Sequence, residues 1–274
     1  MVLPVHDVNP VRRTPVVTYL LIAANVVVFL LSPIALTITG SGSAQAQCTQ
    51  LAFLDRYAAT PAEVVSNQPD PDVATGEVGR DQRGRVGCVT GSPTYEMPPV
   101  LSVLSAMFLH GGWLHLIGNM LYLYVFGNNV EDRLGRLKFL VFYLACGYAA
   151  TYGFSIADPT SQTPLVGASG AVAGVLGAYL VLFPHARIWS LLTFFFFLPV
   201  RLPAWLVLGS WFLLQYLYFR GAGITDAGGG VAYLAHVIGF VLGALLVLPI
   251  RGSGRDRQIA QPRFGPYAPP PPRW

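Results

Sequence analysis

Apolar positions in this chain fall into long blocks separated by short polar breaks, and the length of each block predicts the element it forms. Residues 15–36 make the first block, preceded by Arg12 and Arg13, and its length matches the roughly 20 helical residues that a bilayer crossing requires. Residues 37–99 change to Gly, Pro, Ser, Asp and Arg, with an apolar piece from Leu54 to Val65 that predicts a short helix. The block from Val100 to Phe126 is interrupted by Gly111 and Gly112, so it divides into a lead-in segment, Val100 to Leu109, and a span starting near Trp113. Glu131, Asp132, Arg133, Arg136 and Lys138 close that span, and a third runs from Leu137 to Ile156. The fourth, Gly170 to Phe183, stops at Pro184 and is shorter than a full crossing. Its first turn is therefore expected below the membrane surface. Ile188 to Val200, with Phe194 to Phe197 in a row and bounded by Pro199, Arg201 and Pro203, reads as a re-entrant or interfacial hairpin. Pro203 to Phe219 and Val231 to Ile250 are the fifth and sixth spans, joined by a flexible linker from Gly221 to Gly230.

Composition agrees with a polytopic membrane protein: 53% of residues are hydrophobic, 11% are charged, and the mean hydropathy is +0.52. With six spans, Arg12 and Arg13, the Arg133 to Lys138 cluster, Arg187 with Arg201, and Arg251, Arg255 and Arg257 fall on one side. That side is expected to be cytoplasmic. The organisation that follows is a cytoplasmic arm (1–14), the first transmembrane helix (15–36), an extracytoplasmic loop (37–99), a core carrying helices two to six (100–250) and a disordered Pro/Arg-rich cytoplasmic tail (251–274). The net charge of +4 comes from basic residues in connections and tails rather than on one face, so nucleic acid is not an expected partner. Ala44-Gln45-Ala46 resembles a signal-peptidase site, but the apolar stretch before it exceeds a signal peptide's core, and the helix is expected to be retained. Cys48 and Cys88 share the outer loop, where a disulfide is one reading and two free thiols the other. Cys146, in an apolar helix, reads as a small buried side chain.

Polar side chains inside hydrocarbon require a reason to be there. Every Asp and Glu falls in a loop or tail, which excludes an intramembrane aspartyl pair, and there is no His-Glu-x-x-His run for a zinc protease. The polar candidates are His110, His115, Asn119, Ser169, Gln215 and His236. Each has a packing explanation when taken alone. His115 and Asn119 lie four apart on one helical face. Ser169 sits in Gly167-Ala168-Ser169-Gly170 at the start of a helix rich in small residues, and His236 lies beside Ala235, Gly239 and Gly243, a second small-residue face. The second, fourth and sixth spans all start on the outer side. Six residues of helix descend about 9 Å, so the first turns of the full spans reach the level of the sunken fourth start. A serine nucleophile and a histidine base can meet there. No acid is at hand to orient the histidine, which makes the expectation a dyad rather than a triad. The Ser169 backbone N–H, His115 and Asn119 are the expected oxyanion donors. No metal or other cofactor is called for.

Taken together, Gly167-Ala168-Ser169-Gly170, Ala235-His236-x-x-Gly239-x-x-x-Gly243, His110-x4-His115-x3-Asn119 and the Glu131-Asp132-Arg133 turn resemble the rhomboid family of intramembrane serine proteases. The resemblance covers about Ala106 to Leu248. It implies an all-α bundle of six transmembrane helices with a submerged, water-accessible site, in the bacterial plasma (inner) membrane, both termini cytoplasmic and the site opening outward. It implies Ser169 as nucleophile, His236 as base, and His115 and Asn119 as oxyanion donors, with His110, Gly170, Gly239 and Gly243 as structural support. The implied partners are the lipid bilayer and single-span membrane proteins as substrates, cut where a helix unwinds near the outer face. Trp211 and Gln215 resemble the family's fifth helix, part of a lateral gate. One departure stands out: members often carry an aromatic residue four after the serine that packs on the histidine, and here that position is Ala173. The reading from another class is an inactive rhomboid-like protein that binds membrane segments without cutting them. A transporter is disfavoured by the lack of a buried acid or an inverted repeat.

Overall fold

Proline and glycine punctuate the chain where its helices begin and end. The computed structural model describes residues 2–36, 42–80, 83–93, 97–193, 197–222 and 232–251. A strand β1 (Val2–Asp7) leads into helix α1 (Val16–Leu31), which a 3-10 turn (Pro33–Leu36) follows. Then come α2 (Ala44–Tyr57), α3 (Pro61–Ser66), the strands β2 (Val73–Arg80) and β3 (Val86–Gly91), and α4 (Pro99–Ala106). The core helices are α5 (Trp113–Leu134), α6 (Arg136–Ala157) and α7 (Ser169–Leu182), then strands β4 (Arg187–Leu192) and β5 (Leu198–Pro203), then α8 (Ala204–Ala222) and α9 (Tyr233–Val247). Among the described residues, Arg136–Ala157 and Tyr233–Ile250 are long and apolar enough to cross a membrane by length and composition, while Val16–Leu31 and Ser169–Leu182 are shorter apolar helices.

The Gly111-Gly112 break divides α4 from α5, as the apolar pattern implies. The expected short helix over Leu54 to Val65 is instead the end of one helix and the start of another. Ser43 accepts a hydrogen bond from the Ala46 N–H and so starts α2 earlier. The preceding helix ends at Tyr57, where Ala58 turns extended, and Pro61 opens α3 with Thr60 extended before it. Cys48 of α2 and Cys88 of β3 are disulfide-bonded, tying the β2–β3 hairpin to the helix beneath it. The Ile188 to Val200 segment folds as a β-hairpin. Pro199 and Pro203 bar a helix there and are tolerated because β5 is the edge strand of a three-stranded antiparallel sheet in the order β1-β4-β5. Phe194 to Phe196, the Gly221 to Gly230 linker beyond residue 222 and the tail after residue 251 lie outside the described residues.

One end of the bundle is fastened by the turn that closes α5. The buried Glu131 carboxylate accepts hydrogen bonds from the Val17 N–H at 3.0 Å, the Thr18 N–H at 2.7 Å and the Thr18 hydroxyl at 2.8 Å. It thereby satisfies donors that α1 cannot satisfy internally and meets the positive end of that helix. Asp132 accepts from the Arg13 N–H, and Arg133 donates to the Ile250 carbonyl at 2.7 Å, just past α9. Three consecutive residues thus hold the beginning of α1 and the end of α9.

Strand β1 is anchored nearby through Asp7, which is 5% exposed and accepts from the Asn129 amide at 2.6 Å and the Tyr179 hydroxyl at 2.7 Å. Burial lifts its carboxyl to about 6 from 3.8, against the opposing pull of the Tyr179 hydrogen bond and of His6. A carboxyl raised in the folded state binds more protons there than in the unfolded chain between those two values. Docking of β1 is therefore expected to weaken as pH rises from about 4 to about 6 and to level off above. Asp7→Asn, which keeps an acceptor without the charge, should flatten thermal stability in micelles across that window. An unchanged pH slope in the variant would place the dependence elsewhere.

Candidate active site

The site grows from the contact between α7 and α9. A Cβ placed on Gly239 would collide with the Gly170 carbonyl, and its next neighbours would be the Gly170 carbonyl carbon at 3.0 Å and Cα at 3.4 Å. One turn deeper, a Cβ on Gly243 would strike the Gly174 carbonyl. Backbone thus meets backbone, which only the fourfold-spaced small residues on both faces permit. Ser169 immediately precedes Gly170, and His236 lies one turn before Gly239, so this contact brings the first turns of α7 and α9 together. Ser169 opens α7, where backbone N–H groups have no intrahelical acceptor. Ser169 Oγ and the His236 ring are not hydrogen-bonded to each other; the His236 side-chain hydrogen bond is to Gln215.

The approach to Ser169 runs through Gly167, whose φ of +122° lies in the region that favours glycine. A Cβ at Gly167 would sit 2.8 Å from His115 Nε2 and 3.7 Å from Asn119 Nδ2. Both side chains of the α5 face therefore line the loop two residues ahead of the serine. The Gly111 N–H points at His115 Nδ1 at 3.4 Å, which makes Nδ1 the acceptor and leaves the ring proton on Nε2, the atom nearest Gly167. Asn119 is 7% exposed, and its Nδ2 has no hydrogen-bond partner among the described residues. An unpaired buried amide is costly. Two N–H donors thus converge on one spot beside Ser169. His110 is 1% exposed, has neither ring nitrogen partnered among the described residues, and packs edge-on against His115 with centroids 5.1 Å apart. It supports the His115 ring from behind.

What holds His236 comes from α8. The Trp211 ring lies 5.9 Å from the His236 ring, tilted by 36°, and also stacks on Phe240. Gln215, one turn along the same α8 face, places its Oε1 2.8 Å from His236 Nδ1. This is how the chain manages with Ala173, which is fully buried and offers no ring. The sequence marks Trp211 and Gln215 as an i, i+4 pair, and a glutamine in an otherwise apolar helix is the signal; its partner depends on tertiary packing. Among the described residues no group of three or more His, Cys, Asp or Glu side chains is placed to hold a metal.

Residues 99–253 match the Rhomboid domain. Rhomboid protein 1, mitochondrial, of Saccharomyces cerevisiae is 33% identical over 150 residues, 53% of this chain and 40% of that protein. The putative rhomboid protease YdcA of Bacillus subtilis is 33% identical over 78 residues, 28% of this chain and 39% of that protein. Rhomboid protease GluP of the same organism is 40% identical over 78 residues, 28% of this chain and 15% of that protein. The matches thus span two-fifths or less of these relatives' lengths. The match to the domain takes in α4 through α9, and with them every residue of the site just described: this chain is a membrane protein of the rhomboid family.

Proposed function

We propose that the protein is an intramembrane serine endopeptidase that hydrolyses a peptide bond in or next to the transmembrane segment of single-span membrane proteins. The observation that carries this reading is the convergence at Gly167. An amide donor without a partner among the described residues and an imidazole donor face the approach to a helix-opening serine, while the α7–α9 contact sets a histidine alongside. In this reading α1, α5, α6, α7, α8 and α9 are six membrane-crossing helices. The short α7 sinks Ser169 below the outer surface, and water reaches it from the extracytoplasmic side. The Cys48–Cys88 bond suits an oxidising outer compartment.

The chemistry follows from the atoms. Ser169 Oγ attacks the scissile carbonyl carbon as His236 Nε2 takes its proton. The negative oxygen so formed is held by the Ser169 N–H, the His115 Nε2–H and the Asn119 Nδ2–H. The intermediate collapses as His236 returns the proton to the departing amine, leaving an acyl-enzyme on Ser169. A water, deprotonated by His236, attacks the acyl carbon, and the ester bond breaks as His236 returns that proton to Ser169 Oγ, releasing the new carboxyl end and restoring Ser169. A substrate helix must unwind to present its carbonyl here, because helical carbonyls are already hydrogen-bonded. That favours segments weakened by small residues.

The test is labelling of membranes by a fluorophosphonate probe. Wild type and Ser155→Ala should label, since Ser155 is buried in α6 and bonded to the Thr151 carbonyl, whereas Ser169→Ala should not. A folded wild type that neither labels nor cuts a reporter transmembrane substrate would leave the non-proteolytic reading, a protein that binds membrane segments.

A further inference from the structure

Resting on that reading, we propose that Gln215 is the positioning residue of the general base, a third member supplied by α8 to a site whose other groups lie on α5, α7 and α9. His236 has two ring nitrogens. Nδ1 faces Gln215 Oε1 at 2.8 Å, so Nε2 is the nitrogen left for Ser169. A neutral imidazole that accepts the Ser169 proton at Nε2 must carry its own proton on Nδ1, and a carbonyl oxygen opposite Nδ1 selects that tautomer. When the ring becomes imidazolium, the same oxygen accepts from Nδ1–H without bringing a full charge into the membrane. An amide thus does the orienting work that a carboxylate does in soluble triads, at a smaller desolvation penalty.

The supporting ring comes from the same face. Trp211, one turn before Gln215, lies against the His236 ring and stacks on Phe240 of α9. Tilt is fixed by the indole and rotation by the amide, so both constraints on the base come from one helix. Where α7 and α9 are locked backbone to backbone, α8 is not: Leu213, Leu214, Tyr216, Leu217 and Tyr218 around Gln215 are exposed, and the buried residues of α8 are Ala204, Val207 and Leu208 near its start. The orientation of the base therefore depends on where the half of α8 bearing Gln215 sits. His115 is the other ionisable side chain that acts on His236 among the described residues, and it lies on α5, away from this hydrogen bond.

The test uses the full-length protein in detergent with a fluorogenic transmembrane substrate. Gln215→Met keeps the length of the side chain and removes the acceptor. It should lower kcat by roughly tenfold with KM unchanged, and 15N spectra of His236 should move from the Nδ1–H tautomer to a mixture. Gln215→Glu places a carboxylate at Nδ1, retains the tautomer and should shift the acidic limb of the kcat profile upward by about one pH unit or more, because the imidazolium is favoured. The shift should persist in a His115→Gln background. An active wild type whose kcat, pH profile and His236 tautomer are all unmoved by Gln215→Met and Gln215→Glu would overturn the assignment. So would a loss in Gln215→Met that merely tracks a fall in thermal stability, with the tautomer intact. A wild type without fluorophosphonate labelling would instead sink the protease reading, while the tautomer measurement, which needs no turnover, would still decide the Gln215 contact.

Discussion

His236→Ala should reduce cleavage of a transmembrane substrate to a small residual rate, Ser169→Ala should do the same, and the double variant should be no slower than either. In the proposed mechanism nucleophile and base act as one unit, so removing either removes the covalent route, a loss on the order of a millionfold in soluble serine proteases. The non-additivity discriminates best. If the two residues served separately, as a packing serine and a structural histidine, their effects would multiply. Asn119→Ala belongs in the same assay as an intermediate case. It leaves the covalent route intact and removes one donor, which costs roughly a hundredfold to a thousandfold at comparable sites. The Asn119 Nδ2 it removes has no partner among the described residues, so folding should be little affected. Rates measured by single turnover, with thermal stability in micelles as the check on folding, separate the three classes. Full activity in His236→Ala would end the assignment of a histidine base.

Much of this site is legible in the sequence because it depends on helical spacing. The four-residue interval of His115 and Asn119 puts them on one face, and the small residues following Ser169 and around His236 repeat at the interval that lets two helices touch. The short block ending at Pro184 sets the start of α7 at Ser169 within a residue. What the sequence withholds depends on contacts between distant segments. Asp7 meets Tyr179 across 172 residues, and β1 pairs with β4, Val2 opposite Leu192. No local pattern in a six-residue strand names its partner. Gln215 is conspicuous as a polar residue in an apolar helix, yet its aim at His236 Nδ1 depends on how α8 turns against α9. Ala44-Gln45-Ala46, read locally as a cleavage motif, lies instead in the first turn of α2, capped by Ser43 and joined to β3 four residues after Ala44 through Cys48. The capping serine and the disulfide cysteines lie outside the motif.

Gly243→Leu should cost the protein both its folding stability and its labelling at once, which substitutions confined to the side chains of the site should not. Intrinsic helix propensity predicts the opposite, since leucine is favoured over glycine in a helix interior by up to about 1 kcal/mol. Packing overrides that preference because a Cβ at Gly243 would lie 2.6 Å from Gly174 Cα, closer still to the Gly174 carbonyl oxygen, and neither can swing away as a side chain end would. Overpacking in cores that can relax costs about 1–3 kcal/mol. Here relief requires α9 to part from α7 along the stretch that also seats Gly239 on Gly170, which carries His236 away from Ser169. Lower thermal stability in micelles and loss of fluorophosphonate labelling should therefore appear together, and Gly243→Ala should show both in milder form. Gly209→Ala is the matched control, because a Cβ there meets nothing within 4 Å, and it should leave stability equal or slightly higher. If Gly243→Leu were as stable and as readily labelled as wild type, the glycines would be matters of helix composition, and the proximity of serine and histidine would have to be set by the α5 and α8 contacts instead.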